Sequence, residues 1–353
     1  MKNKRIKIAI DTSPLNDGNA LRGVGFYTKH LVDALQHEVK VNPDYQNFQI
    51  DLIVNSKLKI ENYDLVHYPY FDPFKLTLPL KKIPTIITIH DIIERQFKQH
   101  YPVGIKGEIK WLIQRFLAQQ ANHIITVSHY SKHLISEYLN YPVDRIFVTY
   151  EAADSIFRPI KKPINKYNLP QKFVLYVGDI NWNKNVPSLV KACLQLKYPL
   201  VIVGSSAVKE VPIHPWTQDI HWLQSIKSPL ISCLGFVKDE DLPHIYNLAT
   251  IYCQPSFAEG FGLPVVEAMS CGTPVIYSHE TSLPEVMDFN GHFFDPYSKN
   301  GLNRALQEVW SDSSLQQEYR TKGLARSKTF SWQQTAIQTL YLYKLTLLDE
   351  KTS

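Results

Sequence analysis

Cysteine is scarce in this chain. Cys193, Cys233, Cys253 and Cys271 are the only four in 353 residues. They are too few and too dispersed for a disulfide framework or a zinc site, and no other cluster has metal-ligand spacing. Their apolar surroundings mark them as buried small residues of a reducing compartment. No window approaches the roughly 20 apolar residues of a membrane-spanning helix. The start, Met1-Lys-Asn-Lys-Arg-Ile-Lys-Ile8, is basic, but its apolar run is too short for a signal peptide. Solenoid repeats and low-complexity tracts are missing too. Nor does one sign of charge dominate: 38 Lys and Arg against 33 Asp and Glu give +5, well short of a nucleic-acid binder's basic stripe. The excess is uneven, 20 against 16 in residues 1–160 and 18 against 17 in the remainder. The first half is therefore expected to meet something acidic, such as a membrane surface or an anionic acceptor. The expected location is cytoplasmic, or peripheral on the inner face of a membrane.

What is present is an alternation of buried strands and amphipathic helices, enough for about two domains. Ile6 to Asp11, Phe48 to Val54, Leu65 to Tyr68, Thr85 to Ile89, His123 to Ser128 and Ile146 to Glu151 read as strands of a first open parallel sheet. Gly23-Val-Gly-Phe-Tyr-Thr28 opens the first helix after a polar loop. Residues 96–120 read as one amphipathic basic helix around Trp111 and Phe116, with Lys106, Lys110 and Arg115. It either packs as a surface helix or docks on anionic lipid. The proline-rich basic stretch from Arg158 to Pro170 reads as a linker. The expected division is a first domain over 1–157, a linker over 158–171, and a second alternating domain over 172–330. Trp332 to Leu348 reads as a closing helix with a stripe of Ile337, Leu340, Tyr341, Lys344 and Leu348. Ligands of such sheets bind at the carboxyl ends of the strands.

One stretch carries more chemistry than the others. Pro255-Ser-Phe-Ala-Glu-Gly-Phe-Gly-Leu-Pro-Val-Val-Glu-Ala-Met-Ser-Cys-Gly-Thr-Pro-Val-Ile276 reads as a glycine loop, a short helix and a strand. Pro264 suits the first helical turn, and Gly272 stops the helix. Free backbone N–H groups at the helix start form an anion site, and phosphate is the usual guest. Glu259 and Glu267 flank it. A carboxylate beside bound phosphate repels it, so each glutamate is expected to face a hydroxylated part of the ligand. Phosphate with hydroxyls points to a nucleotide sugar.

These residues resemble a known family. The spacing of Glu259 and Glu267, with Gly260-Phe-Gly-Leu-Pro264 between them and Ala268-Met-Ser-Cys-Gly-Thr-Pro-Val275 after, is similar to the Glu-x7-Glu signature of the retaining glycosyltransferases of family 4. Further matches follow in order along nearly the whole chain. They are Leu21-Arg-Gly-Val-Gly-Phe-Tyr-Thr28, Thr88-Ile-His-Asp91, Thr126-Val-Ser-His-Tyr-Ser-Lys132, Tyr176-Val-Gly-Asp-Ile-Asn-Trp-Asn-Lys-Asn-Val186, Leu234-Gly-Phe-Val-Lys238 and Phe330-Ser-Trp332. The resemblance implies an α/β chain of the GT-B fold, two Rossmann-like doubly wound domains facing a central cleft. A C-terminal helix over 331–353 would return to the N-terminal domain.

It also implies a hexosyltransferase with a GDP- or UDP-linked sugar as co-substrate, no separate cofactor and no metal. The acceptor would be a hydroxyl of a glycan or lipid-linked molecule, and mannose is the favoured sugar. Carried over by position, Glu267 would bind the ribose hydroxyls. Glu259 would sit by the transferred sugar, and backbone N–H groups of Phe261, Gly262 and Leu263 would hold sugar and diphosphate. Lys184, after Gly178, would neutralise the leaving diphosphate, and Gly235 and Phe236 would flank the base. His90 would contact the sugar, Gly23 and Gly25 would allow close approach of the first-domain backbone, and Arg22 is the candidate acceptor residue. His90, Glu259 and Lys184 are the expected catalytic group. The family's diphosphate turn often has an arginine before its lysine, whereas Asn183 stands there in this chain. Two rival readings stay open at this point: an epimerase or hydrolase of nucleotide sugars on the same fold, and a non-catalytic sugar-nucleotide-binding subunit.

Overall fold

A computed structural model describes residues 5–16, 23–54 and 60–352. It divides into two compact units. The first comprises Met1–Gln96, Pro102–Glu151 and Ser331–Ser353, and the second Phe97–Tyr101 and Ala152–Phe330. Together they form the GT-B fold expected from the sequence.

The first unit is built on β1 (Ile6–Asp11), β2 (Phe48–Ile53), β3 (Leu65–Tyr68), β4 (Thr85–Thr88), β5 (His123–Thr126) and β6 (Ile146–Val148). All neighbours pair parallel, in the order β2-β1-β3-β4-β5-β6. Helices α1 (Gly23–Val41), α2 (Ile93–Gln96), α3 (Gly104–Gln119) and α4 (His129–Leu139) connect them. A parallel sheet must be covered on both faces, so its strands carry apolar residues at consecutive positions. Ile8, Ala9 and Ile10 of β1 are accordingly all buried.

The second unit holds β7 (Val174–Val177), β8 (Leu200–Val203), β9 (Ile231–Gly235), β10 (Ile251–Gln254), β11 (Val275–Ser278) and β12 (His292–Phe294). Its helices are α5 (Val186–Leu196), α6 (Gln218–Ser225), α7 (Leu242–Leu248), α8 (Leu263–Cys271), α9 (Leu283–Met287), α10 (Gly301–Ser311) and α11 (Ser313–Ser327). The parallel order β12-β11-β10-β7-β8-β9 is the 3-2-1-4-5-6 order of dinucleotide-binding sheets. Its crossovers reverse direction between β7 and β10. The turns leaving those two strands therefore splay apart and leave a crevice, which is where such sheets take ligands.

The last helix, α12 (Trp332–Thr352), belongs to the first unit and packs along α1. Trp332 stacks on His30, with ring centroids 5.3 Å apart. The buried face of α12 is Thr335, Ala336, Thr339, Leu340, Tyr343 and Thr346. Tyr341 and Leu348, expected in the apolar stripe, are exposed. Threonine makes the difference. The Thr339 and Thr346 hydroxyls donate to the carbonyls of Thr335 and Leu342, so each presents a methyl to the core.

Two further expectations are corrected. The segment 158–171 is no free tether: it lies within the second unit. The Ile160 amide donates to Asn247, Lys166 pairs with Asp241 at 2.6 Å, and Asn165 and Leu169 close a turn. Residues 96–120 are not one helix either. Helix α2 ends at Gln96, and α3 begins only at Gly104, which has φ +63°.

A buried hydrogen-bonded bridge ties α12 to the first sheet. The fully buried His67 of β3 has Nδ1 2.6 Å from the Tyr343 hydroxyl and Nε2 2.8 Å from Thr88 Oγ1. Burial, and next the nearby His90, push its ionisation down to about 3, so the ring is neutral and serves as one donor and one acceptor. Tyr343→Phe leaves the Nδ1 side unpaired. It is expected to destabilise the first unit by about 1–3 kcal/mol, read as a lower urea midpoint. An unchanged midpoint removes this bridge from the stabilising contacts.

Candidate active site

The turn after β7 is shaped by close approach. Gly178 has φ +148°, and a Cβ there would meet the Tyr176 hydroxyl at 3.0 Å. A Cβ on Gly204 would meet the Gly178 carbonyl at 2.2 Å, so the β7 and β8 turns pack backbone to backbone. Trp182–Lys184 then forms one 3-10 turn, and Asn185, at φ +52°, starts α5.

Two asparagines join this turn to the loop after β10. The Asn183 amide nitrogen donates to the Ala258 carbonyl at 2.9 Å, while its own backbone carbonyl accepts from the Phe257 N–H at 2.7 Å. Asn185 donates to the Pro255 carbonyl at 3.0 Å. Phe97–Tyr101 braces the same place: Tyr101 donates to Asn183 Oδ1 at 2.5 Å, and His100 stacks on Trp182 with centroids 3.5 Å apart. In this turn sequence reading singled out Gly178 and Lys184 as ligand-binding. Asn183, where the family often has arginine, is buried and fully engaged.

The stitching brings Lys184 to Glu259 across the crevice between β7 and β10. Nζ lies 2.6 Å from Oε2. The other oxygen of Glu259 accepts from Gln254 Nε2 and Ser256 Oγ, both at 2.6 Å. Tyr252 donates to Gln254 Oε1, which turns the Gln254 amide nitrogen toward Glu259. The Glu259 N–H donates to Thr281 Oγ1, and its carbonyl accepts from the Ser282 hydroxyl, which also reaches the carbonyl of Phe261. A buried carboxylate is tolerable only with such compensation.

Gly262, at φ +99°, precedes α8 with no side-chain cap, and Leu263 and Pro264 form the first turn. A Cβ on Gly262 would meet Leu283 at 2.8 Å. Phe261 is buried against the edge of Phe330. The helix runs to Cys271 and stops at Gly272, φ +73°, as expected. Glu267, one turn into α8 and buried, accepts from the Tyr246 hydroxyl at 2.8 Å. Burial, and then Glu267 itself, hold that phenol well above its usual ionisation, so it remains a donor. Gly235, at φ +68°, ends β9 where a Cβ would strike Val208 at 2.6 Å, and Phe236 beside it is exposed.

In the first unit His90 follows β4. Its Nδ1 lies 3.1 Å from Glu151 Oε1, and its ring stands edge-on to Tyr27, centroids 4.6 Å apart. Its Nε2 is buried with no partner among the described residues. Glu151, three residues after β6, was not singled out in the sequence. No local pattern links two residues 61 positions apart. Gly23 and Gly25 lie in the first turn of α1, which opens at Gly23 as the sequence suggests, and a Cβ on Gly23 would meet nothing within 4 Å. Arg22 lies outside the described residues.

Four residues after His90 is a carboxyl out of its usual range. Glu94 is raised from 4.5 to about 7, first by burial and then by Asp91 and Asp72. A carboxyl that ionises later in the folded chain contributes stability while protonated. That contribution is complete below about pH 4.5 and lost as pH rises through 7. Glu94→Gln is therefore expected to exceed the native chain in thermal midpoint at pH 8 and to match it near pH 4.5. A variant that is less stable at pH 8 contradicts the strain assigned to Glu94.

With this geometry in place, kinship becomes informative. Residues 22–155 match the family model described as Glycosyltransferase Family 4, and 157–326 match Glycosyl transferases group 1. The chain is 33% identical over 319 residues to the O-antigen chain mannosyltransferase B of Escherichia coli, covering 82% of this chain and 80% of that protein. It is 29% identical to the serotype-specific mannosyltransferase WbdA of Escherichia coli over 75% of its own length, but spans only 34% of that longer protein. The fold superposes on Anabaena Alr3699/HepE in complex with UDP-glucose with a TM-score of 0.71 at 17% identity, covering 95% and 99% of the two chains. The chain thus belongs to the GT-B glycosyltransferases that join a family 4 N-terminal region to a group 1 C-terminal region.

Proposed function

We propose that this glycosyltransferase moves mannose from a nucleoside diphosphate, with retention at the anomeric carbon, to a hydroxyl of a glycan or lipid-linked acceptor at an anionic membrane surface. The observation that carries the reading is the Lys184–Glu259 pair beside the uncapped start of α8, with Glu267 one turn further on. A cation, a helix start without a side-chain cap and two carboxylates flanking it suit a diphosphate between hydroxylated rings. Mannose is supported by the kinship with mannosyltransferases.

In this reading Glu267 accepts from the ribose hydroxyls, with Tyr246 fixing its orientation. The amides of Phe261, Gly262 and Leu263 and the Lys184 ammonium take the diphosphate, while Gly178 and Gly235 keep the neighbouring turns clear. Phe236 flanks the base. Gly23 and Gly25 give the start of α1 a bare backbone, and Arg22 meets the acceptor. The acceptor oxygen bonds to the anomeric carbon as the bond to the diphosphate breaks, and the departing phosphate oxygen takes the hydroxyl proton. Lys184 stabilises the charge that develops on that oxygen. Glu259 and His90 face the sugar, where positive character builds. Glu151 holds the His90 proton on Nδ1, so Nε2 presents its lone pair to the substrate.

Glu267→Gln is expected to weaken nucleoside diphosphate binding about 10- to 100-fold through loss of charge-assisted hydrogen bonds to ribose, measured by titration calorimetry. Unchanged affinity sinks the ribose assignment. Glu151→Gln offers an N–H to Nδ1 and moves the ring proton to Nε2. It is expected to lower kcat for mannosyl transfer at least about tenfold, with donor KM and thermal midpoint little altered. A full-speed Glu151→Gln enzyme rules out that role. A panel of nucleotide sugars, read by diphosphate release with and without acceptor, tests the activity itself.

A further inference from the structure

Helix α3 has two unlike faces. Gly107, Trp111, Gln114 and Ala118 are buried against the first unit. On the opposite side Ile105, Ile109, Leu112 and Phe116 follow one another at intervals of four, three and four, which is a single helical stripe. Their exposures are 82, 53, 60 and 54%. Isolated exposed apolar residues are ordinary, but four in register along one helix form a continuous apolar strip. Trp111 packs inward beneath the Arg95 guanidinium, 4.6 Å from its ring centre.

The charges bordering the strip select its partner. Lys106 and Lys110 lie along one edge and Arg115 along the other. Glu108 is the only acid on the helix, and it is bound to the buried Arg95 at 2.8 Å, so its charge is offset. The outward face therefore presents aliphatic and phenyl groups between the exposed Lys106 and Lys110 on one edge and, on the other, the half-buried Arg115, whose Nε donates to the Leu139 carbonyl. A helix of this kind lies in the plane of a bilayer surface, with the apolar strip among the upper acyl carbons and the lysines at the phosphates. No helix of the described residues is long and apolar enough to cross a membrane, so α3 would rest on the bilayer. We infer that the Ile105–Phe116 face of α3 is the docking surface for anionic phospholipid. This rests on, and gives a place to, the membrane partner in the proposed function.

The test is flotation of the full chain with phosphatidylglycerol-containing vesicles and with pure phosphatidylcholine vesicles. Nucleotide-sugar turnover on a water-soluble acceptor is measured on the same preparations. The native chain is expected to float with the anionic vesicles only, and less so as salt rises. The Leu112→Ser/Phe116→Ser variant is expected to bind at least about tenfold more weakly while keeping its turnover. Lys106→Glu/Lys110→Glu is expected to weaken binding and flatten the salt dependence. Docking through α3 is overturned if the native chain fails to float, or if the serine variant floats equally well. It is also overturned if the native chain is a dimer that the serine variant turns into a monomer, because a second copy then covers the strip. Turnover without flotation refutes the docking surface and leaves the transferase reading standing. Flotation without turnover does the reverse.

Discussion

A buried carboxylate has to be answered, and much of the second unit is arranged around answering Glu259. Its oxygens take a lysine, a glutamine amide and a serine hydroxyl, while its own peptide group is held by Thr281 and Ser282. Each of these partners is itself fixed. Tyr252 orients Gln254, and Asn183 and Asn185 anchor the turn that carries Lys184. Leaving one of these groups unpaired in a dry crevice costs more than forming the bond returns, so the network tends to be complete or absent. Preorganisation of this kind aims charge and dipoles without reorganisation when substrate arrives.

The strand order explains why the pair forms here. Lys184 and Glu259 are 75 residues apart, and they meet because β7 and β10 are neighbours on either side of the reversal in crossover direction. The sequence shows this only indirectly. Alternation of strand and helix predicts two parallel sheets, and the Gly260-to-Pro264 loop before α8 predicts an anion site. Neither says that a lysine after one strand will reach a glutamate after another. The glycines at 178, 235 and 262 were singled out through the family resemblance, and each has a positive φ. Asn183, Asn185 and Glu151 were not legible. Their work is long-range hydrogen bonding, which leaves no periodic or spacing signal.

The helices show the same limit from another side. Sequence periodicity read 96–120 as one amphipathic helix, either packed as a surface helix or docked on lipid. The chain instead breaks after Gln96 and starts again at Gly104, and Trp111 turns into the core beneath Arg95. A large aromatic ring buries more area than an aliphatic chain, so it takes the core side where the two compete. In α12 the stripe named from the sequence left out the threonines, which are buried because the helix satisfies their hydroxyls internally.

The two glutamates that first drew notice are held in different ways, and this bears on what each can do. Both oxygens of Glu259 are engaged, one by an ammonium and one by two neutral donors. To serve as a proton carrier it would have to break a bond that compensates its own burial. A carboxylate so held acts better as a fixed negative charge. In the proposed reaction it would accept a sugar hydroxyl only by sharing donors, and it would offset positive character at the anomeric centre without moving. Glu267 is oriented through a phenol that remains protonated, one turn into α8. Hydrogen-bond acceptance from a diol requires only this. The unlike supports therefore favour electrostatic stabilisation for Glu259 and recognition for Glu267, and the two-carboxylate acid–base logic of glycoside hydrolysis does not suit this pair.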